Sequence, residues 1–108
     1  MAMDSIKKQK LAATIKGIAA EFFLKNADSF LNNIIITQSE TSLDGKTIII
    51  WVRVESNKLA EFTKRQDYFQ KQLRVYVATH SKLRYCPSIL LKVDNSFEAI
   101  EKIEKLIS

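Results

Sequence analysis

Apolar residues recur along this chain with two different periods, and the changes of period divide it into elements. Leu11, Ile15, Ile18 and Phe22 fall three or four residues apart with Ala12 and Ala19 beside them, which predicts an amphipathic helix opened by Asp4 or Ser5 as its cap. Gly17 inside that pattern costs about 1 kcal/mol relative to alanine, so close packing is expected there. Residues 25–33 read as a loop anchored by Phe30 and Leu31. Two β-branched runs follow, 34–40 and 47–54, joined across Asp44-Gly45, a hairpin signal. In the second run Ile48, Ile50, Val52 and Val54 share one face while Ile49 and Trp51 occupy the other. A strand apolar on both faces belongs in the middle of a sheet. Trp51, preceded by three isoleucines, is expected in the core or against a helix.

From Asn57 the period returns to helical. Leu59, Phe62, Phe69, Leu73, Tyr76, Val77, His80 and Leu83 predict one long helix or two in succession. Pro87 disfavours the α region for Cys86, so the helix is expected to stop by about Tyr85 and to leave Lys82 and Arg84 at a helix-to-strand corner. Ile89, Leu91 and Val93 then alternate with Leu90 and Lys92 in a third strand, 88–93, closed by Asp94-Asn95-Ser96. Ser96 can cap a last short helix with Phe97, Ile100, Ile103 and Ile107 on its apolar side. Residues 1–108 are thus expected to form one α+β domain, a length at which a single core is usual.

Composition narrows the function classes. Hydrophobic residues make up 46% and charged residues 27% of the chain, the ordinary range for a globular protein. No apolar run is long enough to span a bilayer, and residues 1–4 lack a signal peptide's pattern, so a cytoplasmic protein is expected. Cys86 is the only cysteine, which excludes an internal disulfide or a cysteine-pair zinc site, and beside Pro87 it is expected to be buried and inert. His80 stands alone on an apolar helix face, where a hydrogen-bonded core or boundary histidine is expected. Gly17 and Gly45 are the only glycines, which rules out a glycine-rich phosphate cradle. No catalytic constellation, cofactor motif or metal site can be assembled from these residues, so no enzymatic activity is expected.

Charge supplies the positive signal. The net charge is +5, and its excess lies in residues 1–26 and 57–87, both read as helical. Lys7, Lys8 and Lys10 gather in the first turns of the first helix, where the helix dipole opposes them, so helix electrostatics does not explain their placement. In the second segment Lys64, Lys71 and Lys82 are spaced close to whole turns, with Arg65, Arg74 and Arg84 alongside and only Glu61 and Asp67 as acids. Those nine bases are the candidate nucleic-acid-binding residues, a basic face of the kind that meets phosphates. A solvated, solubilising surface is the bland alternative. Lys102 and Lys105 sit among nearly equal numbers of acids and give no reason to expect phosphate contacts.

The element order, helix, strand, strand, helix or helix pair, strand and short helix, is that of a type II KH domain, α-β-β-α-α-β with a C-terminal addition, in which helices cover one face of a three-stranded sheet. KH domains clamp nucleic acid with a GXXG loop, which this chain cannot form. It resembles the ribosome-binding factor A family, whose KH-like domain lacks that loop. Leu83-Arg84-x-x-Pro87, then Ile89, Leu91, Asp94 and Ser96, follow the family's L-R-x-x-P-x-L-x-F-x-x-D-x-S pattern in order and nearly in residue type. Asp28-Ser29-Phe30-Leu31 is similar to its D-P-R-L loop, Thr41-Ser42-Leu43-Asp44 to its M-S-x-D, and Ile50-Trp51-Val52 to its V-Y-V. Where the family kinks its helix pair at Ala-x-Gly, this chain has Phe69-Gln70-Lys71, which leaves helix continuity open. The resemblance implies a non-catalytic bacterial assembly factor that binds the free 30S subunit, assists 16S rRNA maturation and matters most in the cold. It implies no cofactor, a monomer, and release promoted by a ribosome-dependent GTPase. A general KH-like single-strand RNA binder and a protein-interaction module are the other two readings.

Overall fold

The computed structural model describes residues 5–94. In chain order these form α1 (Ser5–Leu24), a one-turn α2 (Ser29–Asn32), β1 (Ile35–Thr41), β2 (Thr47–Arg53), a 3-10 turn (Ser56–Lys58), α3 (Leu59–His80) and β3 (Ser88–Val93). The sheet order is β1-β2-β3, with β1 and β2 antiparallel and β2 and β3 parallel. β2 is central, as its two apolar faces require. Its Ile48, Ile50 and Val52, with Ile89 and Leu91 of β3, face the helices and are buried. This is the expected α+β fold with helices on one face of a three-stranded sheet. The KH helix pair is here one continuous α3 of 22 residues entered through the 3-10 turn, so Phe69-Gln70-Lys71 makes no break. The expected cap Asp4 and the helix expected after Ser96 lie outside the described residues.

α1 buries Ala12, Ile15, Ala19, Phe22 and Phe23, a stripe at three- and four-residue spacing. The two alanines let the helix lie close over β1, where Ser39 Oγ donates to the Ala12 carbonyl at 2.9 Å and Thr41 Oγ1 to the Lys8 carbonyl at 3.0 Å. Gly17 is exposed and a methyl group there would meet nothing within 4 Å, so the close packing expected of it is absent. Asn32 closes the other end of α1 by donating to the carbonyls of Phe23 and Leu24.

α3 packs against β3 and α1 and contributes Phe62, Phe69, Leu73 and Val77 to the core. It also closes the free edge of β3. Gln66 Nε2 donates to the Leu91 carbonyl, and the Leu91 N–H donates to Gln70 Oε1 at 2.9 Å. Two glutamines one turn apart thereby satisfy a backbone pair that the sheet leaves open and that an edge strand would otherwise offer to another chain.

Trp51 departs from expectation. Its face of β2 points away from the helices, so the ring is half-buried beneath the Lys92 ammonium, 5.5 Å from the ring centre, rather than in the core.

Replacing Gln70 with leucine keeps the volume but orphans the Leu91 N–H. This should cost about 1–3 kcal/mol in urea unfolding with an unchanged m-value. A stability equal to wild type would show that the edge bond contributes nothing.

Candidate nucleic-acid interface

The parallel pairing of β3 with β2 brings three distant segments to one end of the sheet. The β1–β2 turn is built by Ser42 and Asp44: the Ser42 hydroxyl donates to Asp44 Oδ1 at 2.6 Å, the Lys46 N–H donates to the same oxygen at 3.0 Å, and Gly45 takes φ 73°. The Ser42 hydroxyl and the Lys46 N–H together hold the Asp44 carboxyl below its ordinary pKa. The Ser88 N–H donates to the Lys46 carbonyl at 2.9 Å, which fixes the start of β3 against the turn. The N-terminal turns of α1 lie alongside.

Between them opens a cleft of about 480 Å³ whose walls carry Lys7 and Leu11 of α1, Lys46 of the turn, and Leu83, Arg84 and Tyr85 of the segment before β3. Lys7, Lys10, Leu11 and Leu83 also line an adjoining groove. No carboxylate among the described residues lines either one. Tyr85 is 79% exposed, with the Arg84 guanidinium carbon 5.7 Å from its ring centre. Cations from three segments around an exposed aromatic ring can hold phosphate oxygens and stack an unpaired base.

The nine bases singled out from the sequence divide by position. Lys7, Lys10 and Arg84 meet at this end, and Lys82 is exposed in the same segment as Arg84. Lys8 turns to the α1–β1 groove, which it shares with Lys16 and Glu40. Lys64 and Lys71 lie on the outer face of α3, opposite the buried stripe, and Arg74 is exposed about a quarter-turn round from them. Arg65 is committed elsewhere. Its Nη2 is 2.7 Å from Asp28 Oδ2, its Nη1 is 3.7 Å from Glu61, and its guanidinium lies over Phe69 at 4.6 Å. Asp28 in turn caps α2 by accepting from the Phe30 N–H at 3.0 Å. Arg65, then the Phe30 N–H, hold the Asp28 carboxyl below its ordinary pKa.

The continuous ridge expected from Lys64 to Lys82 is therefore interrupted. α3 ends at His80, five residues before the expected stop, and Ser81 is extended with ψ 155°. Continuing the helix to Tyr85 would carry the chain about 7.5 Å further along the α3 axis and leave two residues to return to Ser88. His80 serves the helix end, its Nδ1 2.9 Å from the Tyr76 carbonyl and its ring stacked on Tyr76 at 3.8 Å. Leu83, expected on the buried helix face, is 37% exposed and lines the cleft. Cys86 is half-buried in the cleft wall rather than buried, with Sγ 3.9 Å from the Arg74 carbonyl.

Sequence reasoning passes over Lys46 and Tyr85. Lys46 lies in a segment of net negative charge and only the hairpin brings it to the other cations, while Tyr85 reads as the last helical residue. The one available signal is a turn lysine directly after Asp44-Gly45. Among the described residues no group of three or more histidine, cysteine or carboxylate side chains could hold a metal, and no helix is long and apolar enough to cross a membrane.

Asp28→Asn keeps the α2 cap and removes the charge that pairs with Arg65. Because the folded carboxyl is held below its unfolded pKa, the pair's contribution is present above the ordinary carboxylate range and is lost as pH falls from that range through the lower folded pKa. The variant should melt below wild type at pH 7, with the gap narrowing in acid. Arg65→Gln should leave the salt dependence of RNA binding unchanged, whereas a flattened dependence would return Arg65 to the phosphate-contacting set.

No protein-family model matches the chain, and no curated protein matches it. Solved structures do. The crystal structure of ribosome-binding factor A from Thermus thermophilus is similar at TM-score 0.64 and 20% identity, over 82% of this chain and 97% of that one. A Thermotoga maritima protein assigned as a ribosome binding factor A, solved by solution NMR, is similar at TM-score 0.61 and 16% identity, over 82% and 88% of the two chains. The third is a homology model of the Thermus thermophilus factor fitted into a cryo-EM map of a 30S complex, at TM-score 0.59 and 20% identity, over 80% and 93%. This chain has the fold of ribosome-binding factor A.

Proposed function

We propose that this chain is a ribosome-binding factor A that binds the free 30S subunit through 16S rRNA and assists rRNA maturation as a non-catalytic, cytoplasmic monomer. The observation that carries the reading is the cleft where Lys7, Lys46 and Arg84 converge beside an exposed Tyr85, in a fold shared with a factor fitted into a map of a 30S complex. Its chemistry suits a strand whose phosphates meet the cations while a base stacks. Lys64, Lys71 and Arg74 extend the positive surface along α3. By its resemblance to the family, the protein acts most in the cold and is released from the subunit by a ribosome-dependent GTPase. The general KH-like single-strand binder is disfavoured because Gly17 and Gly45 cannot make a GXXG loop. One observation favours a protein-interaction module instead: an uncovered apolar groove between α1 and α3, lined by Phe22, Tyr68 and Val75.

The test is sedimentation with purified 30S, 50S and 70S particles. Wild type should travel with 30S alone. Lys46→Gln and Arg84→Gln should each weaken binding and flatten the slope of log affinity on log salt by roughly 0.7 to 0.9. Charge reversal at Lys102 and Lys105 should change little, and an equal loss there would mean a diffuse field in place of a site.

A further inference from the structure

The outer face of α3 carries Lys64, Tyr68, Lys71 and Val75 at four-, three- and four-residue spacing, so that an aromatic ring stands between two ammonium groups. Tyr68 is 56% exposed and Val75 66% exposed. Beside them, against the C-terminal end of α1, runs a groove of about 510 Å³. Phe22 and Tyr76 form its floor, edge to face at 5.4 Å, with His80 stacked on Tyr76. Amide groups sit at the rim. Gln72 Nε2 donates to Tyr68 Oη at 2.8 Å and holds that ring in place, and Asn26 stands across from it. No carboxylate among the described residues lines the groove, and Lys71 does. The nearest acid on α1, Glu21, is bound to Lys25 at 2.8 Å.

The lining is mainly aromatic, with the Asn26 and Gln72 amides and the Lys71 ammonium beside the rings. Aromatic faces, amides that can meet base edges, and an adjacent cation are what an unstacked nucleotide requires. Charge is complementary as well, because Lys64, Lys71 and Arg74 follow the same helix toward the cleft at the hairpin end. From Tyr68 to the end of α3 is about 20 Å of helix, so one RNA strand can engage both places.

We propose that this groove receives one unstacked RNA base against the Tyr68 ring, with the flanking phosphates held by Lys64 and Lys71. The inference rests on the RNA-binding function proposed above and adds a second, non-electrostatic foothold to it.

Binding is to be measured over a range of salt with purified 30S subunits and with a short mixed-sequence single-stranded RNA. Tyr68→Ala should weaken binding to both about 5- to 150-fold, the ~1–3 kcal/mol of one base–aromatic stack, and leave the salt slope unchanged. Tyr68→Phe, which keeps the ring and gives up only the bond to Gln72, should bind close to wild type, and Tyr68→Ala is to be checked for wild-type urea unfolding. Lys71→Gln should flatten the slope by roughly 0.7 to 0.9. Wild-type affinity in Tyr68→Ala, with wild type itself binding both probes, would overturn the groove alone. Loss of 30S binding with intact binding to the free RNA would assign the groove to a ribosomal protein and overturn it too. Failure of wild type to bind either probe would overturn both readings together.

Discussion

The parallel pairing of β3 with β2 is the constraint on which the rest depends. Two strands that run the same way cannot be joined by a tight turn, so the chain must cross back over the sheet, and α3 is that crossover. At about 33 Å, α3 is longer than the roughly 20 Å of either strand, so it begins with its own entry turn and ends close to the hairpin end of the sheet. The segment 81–87 must then turn within a few residues and enter β3 where Ser88 bonds to Lys46. That one register requirement places Arg84 and Tyr85 beside a turn lysine more than thirty-five residues earlier and beside the first turns of α1. The cleft follows from the topology.

Four carboxylates among the described residues are held by close internal partners. Asp28 is divided between Arg65 and the α2 cap, Glu21 pairs with Lys25, Asp44 is bound by its own turn, and Asp94 accepts from the Thr37 hydroxyl at 2.6 Å. The walls of the cleft receive none of them. A modest net charge of +5 thus becomes a local field, with low-dielectric walls that raise its effect on a polyanion. The exposed ion pairs contribute little to stability by themselves.

The features legible in the sequence are those set by local period. A strand apolar on both faces had to be central, Asp44-Gly45 had to turn, and Pro87 had to separate a helix from a strand. The departures came from tertiary geometry. His80 ends α3 because the return to Ser88 sets the length of the crossover, which no window of sequence contains. Arg65 reads as one more base on a helix until Asp28, thirty-seven residues away, is folded beneath it. Lys46 and Tyr85 carry no basic or aromatic cluster around them in sequence and join one only in space. Trp51 shows the limit of reading two faces from one strand, because the pattern does not say which face the helices cover.

Cys86 offers the most direct test of the central claim, that the cleft at the hairpin end is where the ribosome is bound. It is the chain's one cysteine and it lies half-buried in the cleft wall, so a thiol reagent reports on that place alone. Labelling rates are to be compared for the free protein and for the protein saturated with 30S or with 50S subunits. The account predicts that 30S slows labelling of Cys86 several-fold and that 50S leaves it at the free rate. An unchanged rate in the presence of saturating, demonstrably bound 30S would contradict it and place the contact on another surface.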